Sequence, residues 1–424
     1  MPDMQSHTPM QSLIRLAAAG ARQTALGNFS VDWPALLSLA ADQHLLPLVA
    51  CALLHGEPAE CPSGVREQCL EALRTSAAVN AIRMRRTLQL VREMEAAGFR
   101  VCVLKGASVA RLYAYPESRS SVDTDLLIDA GQERAVYAFL REKGFTVKGR
   151  RSTANDGACE HAKYGKIEIH TSLYPELTET AWAGLAEPQW QQEPLLRVTL
   201  MDGSFDTLGP TDQLIFLTLH MIKHFTESGL SIRMMLDVAL HFSAFHQEID
   251  TVRFWRVLQG MKCKVCVSQI LWIMIRFGGF PEESFPGIGE AQPDRMDDIL
   301  RDIEAGGYMG AREMTARHEG GMEYYRRMLM HQRSSAQYRR YMLRWKIRSA
   351  SRNMFPSYQR LKHMYPCVAR LPVIAPALWM FQAVRYPAVK VCSGVLRRDI
   401  RHARSAMTPE SQQRVQLFDR LGML

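Results

Sequence analysis

The stretch RVCVLKGASVARLYAYPESRSSVDTDLLID (residues 100–129) decides the fold of this chain. It runs from an apolar segment through Lys105-Gly106 to a second apolar segment that carries Asp123 and Asp125. Because successive side chains of a strand point to opposite faces, these two carboxylates share one face. Neighbouring carboxylates repel each other unless a cation lies between them, and oxygen ligands of this kind suit Mg²⁺. The stretch therefore predicts a metal-dependent site for phosphate chemistry.

The Lys105-Gly106 turn leads into a predicted helix over 107–114. Gly106 is either a plain strand-to-helix turn or a cradle whose backbone N–H groups bind a phosphate, and one backbone conformation allows both. Lys105 either neutralises the acids or contacts a phosphate and offsets developing charge. Ser108 is a weaker candidate phosphate contact, since it is also an ordinary residue of a first helical turn. Arg119 either reaches a phosphate, pairs with Asp125, or lies on a surface loop.

A hairpin further along the chain supplies a third acid. Strands are predicted over 161–164 and 166–170, on either side of Gly165. In the second strand Ile167 and Ile169 face one side, while Lys166, Glu168 and His170 face the other. His170 could orient an acid, contact the substrate, or be a packed and hydrogen-bonded histidine.

Most of the remaining chain has a helical pattern. The predicted helices span 33–54, 65–97, 132–143, 214–225, 232–245 and 254–277. Thr211 is a predicted N-cap, and residues 172–205 are poorly patterned. Arg83, Arg85 and Arg86 are expected on the solvated side of the 65–97 helix. Strands alternate with helices over 101–147, which predicts a small α/β unit in a mostly helical chain, an α+β fold overall.

Composition fits a globular chain of 424 residues with two or three domains, since 47% of its residues are apolar and 22% charged. Nine cysteines, an odd number, indicate reduced thiols in a cytosolic protein. Cys263 and Cys266 form a CxxC without a matching second pair, which predicts buried thiols rather than zinc. The N-terminus does not read as a signal peptide. The longest apolar run, 371–384, is too short to span a bilayer, so a cytoplasmic location is expected, with peripheral membrane contact as an extension.

Two other groups of residues attract notice. His220 and His224 have the i, i+4 spacing of metal ligands, but they lack the HExxH pattern. They are predicted to form a polar cluster behind the site, with Asp237 accepting a hydrogen bond from one of them.

From Glu323 to Arg370 the chain has twelve Lys/Arg and one acid. This basic region is a solvated surface, a contact for anionic lipid, or a contact for RNA, although it carries no recognised nucleic-acid motif.

The combination of these motifs resembles the nucleotidyltransferase superfamily with the polymerase-beta-like fold. More narrowly, it is similar to the bacterial branch usually labelled uncharacterised nucleotidyltransferase. The matching segments are VLKGASVARLY (103–113), RSSVDTDLLI (119–128), IEIHTSL (167–173), LGPTDQLIFLTLHMIKHF (208–225) and LDVALHF (236–242). The chain departs from the wider superfamily in having Lys105-Gly106 at the turn and Glu, rather than Asp, as the third acid.

The resemblance implies a small mixed-sheet nucleotidyltransferase core and a set of functional residues. Asp123, Asp125 and Glu168 match the three acids that hold two Mg²⁺ ions and carry the catalysis. Lys105, Gly106, Ser108, Arg119 and His170 are the expected contacts of the nucleotide. It also implies a division into an N-terminal helical cap (1–98), a nucleotidyltransferase α/β core (99–205), a helical domain (206–280) and a basic helical C-terminal region (281–424).

The expected function is Mg²⁺-dependent transfer of a nucleotidyl group from an NTP such as ATP to a hydroxyl of an unidentified acceptor, with release of pyrophosphate (EC 2.7.7-like). One alternative is a non-catalytic, antitoxin-like interaction protein with the same fold. Another is a membrane-surface accessory protein of envelope or polysaccharide assembly, which would contact anionic membrane through residues 323–398.

Overall fold

The computed structural model describes residues 7–27, 29–56, 61–121, 123–148, 157–173, 194–306, 351–392 and 409–424, apart from 352–353, 357, 359–360, 362–363 and 366. Two compact units are present. The first comprises Met1–Pro175 and Gly184–His318, and the second comprises Glu176–Ala183 and Glu319–Leu424.

Within the described residues, four helices precede the sheet. They are α1 (Pro9–Arg22), α2 (Trp33–Asp42), α3 (Leu46–His55) and α4 (Ser63–Ala96). The single helix expected over 33–54 is wrong, because His44 has a φ of 55°. That left-handed conformation ends one helix, and Pro47 fits the first turn of the next. The long helix expected over 65–97 is confirmed by α4.

A mixed five-stranded sheet follows, which confirms the α+β class. Its strands are β1 (Val101–Val103), β2 (Asp123–Ile128), β3 (Thr146–Lys148), β4 (Gly157–His161) and β5 (Gly165–His170). The order in the sheet is β1-β2-β5-β4-β3. β2 and β5 run parallel to each other, and the other neighbours are antiparallel.

Two local predictions in this region are corrected. The helix expected over 107–114 is only α5 (Ala107–Ala110). The backbone N–H of Ala114 already donates to the carbonyl of Ala21, and Pro116 follows in a short 3₁₀ turn. The strand expected over 161–164 is a turn, because the His161 side chain accepts the backbone N–H groups of Lys163 and Tyr164. The true hairpin partner of β5 is the earlier strand β4.

A second, two-stranded sheet went unpredicted. Its strands are β6 (Leu196–Leu200) and β7 (Gly203–Thr207), within the segment that showed little pattern. Met201 takes a φ of 54° in the turn between them. Val198, Leu200 and Phe205 pack into the core of the large sheet. Residues 174–193 of that segment lie outside the described residues.

The core joins one face of the sheet to α4 and to α6 (Glu133–Glu142). Leu126, Ile167 and Ile169 lie in it beside Leu88 of α4 and Leu140 of α6. This core therefore takes Leu126 and Ile128 of β2 and Ile167 and Ile169 of β5, whereas Leu127 lies in the phase of Asp123 and Asp125. The opposite face of the two strands is left for the charged side chains that alternate with them.

Five helices complete the described part of the first unit. They are α7 (Pro210–Glu227), α8 (Ile232–Phe245), α9 (Thr251–Gly260), α10 (Lys264–Arg276) and α11 (Pro293–Gly306). Thr211 is not the N-cap: α7 begins at Pro210 after Gly209, and the Thr211 hydroxyl accepts the N–H of Asp250. The single helix expected over 254–277 is two, separated at Lys262 with its φ of 57°. Cys263 and Cys266 are buried free thiols, as predicted.

The second unit contains α12 (Cys367–Arg370), α13 (Ala375–Cys392) and α14 (Pro409–Arg420). A small core forms around Leu361, Val368 and Ala375. Over the described residues, the helices are too short or too polar to cross a bilayer.

Candidate active site

The register of two parallel strands assembles the acidic site. Asp125 of β2 lies opposite Glu168 of β5, and Asp123 lies opposite Lys166. Because both strands alternate in the same phase, these four side chains extend from the face of the sheet opposite the core. Residues more than forty positions apart in the sequence are thus brought side by side.

Asp125 is the most deeply placed of the three acids, with 1% of its surface exposed. Its Oδ1 accepts a hydrogen bond from His170 Nε2 at 2.9 Å, and its Oδ2 lies 3.2 Å from Lys105 Nζ. Burial by itself raises the pKa of this carboxyl, but the Lys105 charge and the His170 contact outweigh it and lower the pKa to about 2. Asp125 is therefore ionised at neutral pH.

Asp123 and Glu168 are more accessible, and two lysines lie among the acids. Lys105 Nζ is 3.8 Å from Asp123 Oδ1, and Lys166 Nζ is 3.9 Å from Asp123 Oδ2. Lys166 also forms an ion pair with Glu168. Lys166 was noted in the sequence only as a residue of this strand face. Lys166 lies two residues before Glu168 on β5, so both side chains share one face of the strand. This spacing was the sequence signal that Lys166 would lie near Asp123.

The described residues contain one group with donor atoms close enough for a metal ion. It consists of Asp125, Glu168 and His170, whose ligand atoms lie within 4.8 Å of one another. This group shares two members with the predicted acidic triad. Asp123 lies beside it and is joined to Glu168 through the ammonium of Lys166. His170 was expected to orient an acid, to contact substrate, or to be a packed and hydrogen-bonded histidine; it is 8% exposed and donates directly to Asp125.

The Lys105-Gly106 turn, which precedes α5, lies beside the acidic side chains. Gly106 has a φ of 77° and a ψ of −106°, a conformation that only glycine adopts readily. Ser108 donates its hydroxyl to the carbonyl of Leu104 at 2.9 Å. Lys105 Nζ also donates to His220 Nε2 at 3.2 Å. Burial lowers the pKa of Lys105, but Asp125 and Asp123 raise it by more, so the side chain stays charged.

Arg119 does not lie on a surface loop, and its ion pair is formed with Asp237 rather than with Asp125. It is 3% exposed and binds Asp237 of α8 in a two-pronged arrangement, with Nε to Oδ1 and Nη2 to Oδ2 both at 2.7 Å. Asp237 also accepts the hydroxyl of Tyr113 at 2.7 Å and lies 3.5 Å from Arg233 Nη1. We call Arg119, Asp237, Tyr113 and Arg233 the Asp237 cluster.

The histidine pair lines the site instead of standing behind it. His220 and His224 of α7 border a cavity together with Lys105, Asp123 and Arg233. The prediction that one of them donates to Asp237 is wrong, because His220 contacts Lys105 and His224 contacts the Ser228 hydroxyl at 3.2 Å. Burial and the Lys105 charge lower the pKa of both imidazoles, that of His224 to about 3. Both rings are neutral at physiological pH.

A residue that sequence reasoning placed elsewhere borders a neighbouring recess. Arg83 of α4 was expected in solvent, but it is half-buried and lines a recess with Gly106, Ser121 and Thr124. The available signal was the buried polar residues Asn80 and Thr87, which lie three and four positions away on the same helix face.

Comparison with known proteins identifies the family of the chain. A family model described as uncharacterised nucleotidyltransferase matches residues 30–279, more than half of the chain. The chain belongs to the uncharacterised nucleotidyltransferase family, and membership supports a nucleotidyltransferase that handles a nucleotide substrate. No curated protein and no solved structure matches the chain.

Proposed function

We propose that the chain transfers a nucleotidyl group from an NTP to a hydroxyl-bearing acceptor, releases pyrophosphate and depends on Mg²⁺, a reaction of the EC 2.7.7 type. The observation that carries this proposal is the pairing of Asp125 with Glu168 on adjacent parallel strands, with Asp123 on the same face. Three carboxylates on one face favour bound cations, since like charges repel.

The donor set fits Mg²⁺. Asp123, Asp125 and Glu168 offer the hard oxygen ligands that this ion prefers, and Asp125 is held ionised. We assign these three carboxylates to two Mg²⁺ ions. His170 offers nitrogen, a poorer ligand for Mg²⁺, so we assign it to holding Asp125 in position. When bound, Mg²⁺ supplies positive charge at the phosphates and lowers the pKa of the attacking hydroxyl.

The other predicted residues divide into two groups. Lys105 and Gly106 stay in the proposal as phosphate contacts, because a charged ammonium and a turn of exceptional backbone conformation adjoin Asp123. Arg119 and Ser108 become supports of the site. Arg119 already binds both oxygens of Asp237, and Ser108 already donates to Leu104. In this assignment they shape the cavity wall and the turn.

Calorimetric titration with each of the four ribonucleoside triphosphates, with and without Mg²⁺, tests the proposal. The expected result is binding of at least one NTP that needs Mg²⁺ and disappears in Asp123→Asn/Asp125→Asn. Leu54→Ser, an exposed change away from the sheet, is the matched control and should bind as the wild type does. Absence of binding for all four NTPs would contradict the enzyme and favour a non-catalytic interaction protein.

The second unit supports a further proposal, that of a cytoplasmic protein in peripheral contact with anionic membrane. Residues 324–398 contain 16 Lys/Arg and no acid, whereas the rest of the chain has 36 Lys/Arg and 43 acids. The same segment exposes large apolar side chains. Over the described residues they include Leu371 (58% exposed), Val373 (83%), Met380 (73%), Phe381 (53%) and Val384 (75%). Exposed apolar side chains in a positively charged segment match a surface of anionic lipid.

Flotation of the full-length protein with vesicles tests this contact. We expect binding to vesicles of mixed phosphatidylcholine and phosphatidylglycerol, and loss of binding with phosphatidylcholine alone. Val373→Ser/Met380→Ser should weaken flotation, whereas Val252→Ser, an exposed apolar change in the first unit, should leave it intact. Equal flotation of all variants, or binding to RNA in place of vesicles, would contradict the membrane proposal.

A further inference from the structure

Arg83 belongs to α4, the helix that forms one wall of the site. It is half-buried and lines a recess with Gly106, Ala107, Ser121 and Thr124. Gly106 belongs to the turn that we assign to phosphate binding. The charge of Asp123 acts on Arg83 and opposes the effect of burial, which lowers the pKa of this guanidinium. Arg83 therefore belongs to the electrostatic surroundings of the acids, although it lies on a different wall.

The polar neighbours of Arg83 on α4 are engaged with the protein. Asn80 donates to the carbonyl of Glu117 at 2.8 Å, and the hydroxyl of Thr87 lies 3.1 Å from that of Thr124. Both of these side chains therefore have hydrogen-bond partners. Among the described residues, the Arg83 guanidinium takes part in no hydrogen bond or ion pair. A charged group that is partly removed from water without a partner is unfavourable by itself. This arrangement is typical of a group that awaits a ligand.

Guanidinium chemistry narrows the ligand. Arginine stays charged at neutral pH and presents five N–H donors in a planar fork, which suits the oxygens of a phosphate. Around the acids, the three carboxylates Asp123, Asp125 and Glu168 outnumber the two ammonium groups of Lys105 and Lys166. Arg83 adds a further positive charge within reach of Asp123, where a bound phosphate would meet it.

We propose that Arg83 binds a phosphate group of the nucleotide triphosphate at this recess. The inference rests on the proposed function, and it extends the site from the sheet and its turn to the N-terminal helix α4. It also gives α4 a direct role in recognition of the triphosphate, beyond packing on the sheet.

The experiment uses two probes with the full chain and Mg²⁺: inorganic tripolyphosphate, and the NTP that binds best to the wild type. Titration calorimetry compares Arg83→Gln with Arg85→Gln, because Arg85 is exposed on the same helix. Arg83→Gln should weaken both probes by about tenfold to a hundredfold, the usual effect of losing a charge-assisted contact. Arg85→Gln should bind both as the wild type does. Arg83→Lys, which keeps the charge and loses the fork, should fall between.

Three results would overturn the inference. If Arg83→Gln binds both probes normally while Asp123→Asn/Asp125→Asn does not, Arg83 is no phosphate ligand and the proposed function stands. If Arg83→Gln weakens the NTP but not tripolyphosphate, the side chain recognises the nucleoside instead. If the wild type binds neither probe, the proposed function fails and the inference with it. Should Arg83→Gln fold poorly, Arg83→Lys with a wild-type melting temperature decides between the same outcomes.

Discussion

Two buried aspartates near the same cavity have different surroundings. Asp237 is 5% exposed, and both of its oxygens are bound by Arg119, with Tyr113 and Arg233 as further partners. Asp125 is 1% exposed and is held by Lys105 and His170, but it stands beside two more carboxylates. The pKa of each is lowered, because nearby cations outweigh the effect of burial.

This difference assigns a structural role to Asp237 and a functional role to Asp125. In the Asp237 cluster two guanidinium groups surround one carboxylate, and a bidentate arginine is the favoured geometry for a buried pair. It ties α8 to the loop that contains Arg119. The carboxylates of Asp125, Asp123 and Glu168 repel one another, which is unfavourable for folding and is typical of functional sites. We therefore expect changes at Asp125 to affect activity and changes at Asp237 to affect stability.

The largest expected effect is on the rate of reaction. Asp125→Asn keeps the shape of the side chain but removes a carboxylate charge that we assign to the binding of Mg²⁺. The initial rate of pyrophosphate release should therefore fall about a thousandfold. Because Lys105 and His170 hold the pKa of Asp125 at about 2, the ionised carboxylate also stabilises the fold, and the free energy of unfolding should fall by about 1–3 kcal/mol, less than for Asp237→Asn. A stable variant with near-normal rate would break the comparison.

The next effect is on stability. Asp237→Asn leaves the buried Arg119 without its carboxylate, and breaking such a pair costs about 3–5 kcal/mol of unfolding free energy. Urea denaturation of the purified protein measures this loss. The double variant Arg119→Met/Asp237→Leu removes both charges and should recover much of it. If Asp237→Asn matches the wild type in stability, the Asp237 cluster is not the support that we describe.

Gly106→Ala tests the turn. Its backbone conformation is unfavourable for any residue with a Cβ, although the nearest atoms would lie 3.7 Å from one. We expect a loss of about 1–3 kcal/mol in unfolding free energy from strain alone. Gly209→Ala is the control, since Gly209 has a φ of −59° and open space around it. Equal stability of the two variants would show that the strained turn can relax.

The smallest expected effect is a pH dependence of folding from the neutral histidine pair. The folded protein holds the pKa of His224 at about 3, whereas an unfolded histidine titrates near pH 6.5. The unfolded state therefore binds more protons below about pH 6.5, and stability is lost as the pH falls from there toward 3.

Between pH 7 and pH 5 we expect His224 to account for a loss of about 1–2 kcal/mol. Urea denaturation at both pH values should show a smaller loss for His224→Gln than for the wild type. His55→Gln, a change at an exposed histidine, should keep the full loss. Identical pH dependence in all three proteins would mean that His224 stays accessible to protons when folded.

Local pattern was enough to place the three acids on strands, whereas their place in one mixed sheet followed from the family resemblance. Asp123 and Asp125 lead directly into the apolar end of β2 at Leu126, and Glu168 alternates with Ile167 and Ile169 on β5. Elements that depend on distant contacts were not predictable. The helix after Gly106 ends early because Ala114 bonds to Ala21, and the small hairpin of β6 and β7 is held by packing against the core of the large sheet.

Side-chain partners were the least accessible part of the site. Arg119 and Asp237 are separated by 118 positions, so their pairing depends on how α8 packs against the loop. Arg83 was assigned to solvent because charged residues on a long helix usually lie there. Only the packing of α4 beside the Gly106 turn places it at the site.

The most direct test of the central claim follows a label from each end of the triphosphate. The protein is incubated with Mg²⁺, a clarified cell extract as the source of acceptors, and NTPs labelled at either the α- or the γ-phosphate. The account predicts that the α-label becomes attached to an acceptor, that the γ-label leaves as pyrophosphate, and that Asp125→Asn does neither. Transfer of the γ-label to an acceptor, or undiminished transfer by Asp125→Asn, would contradict it.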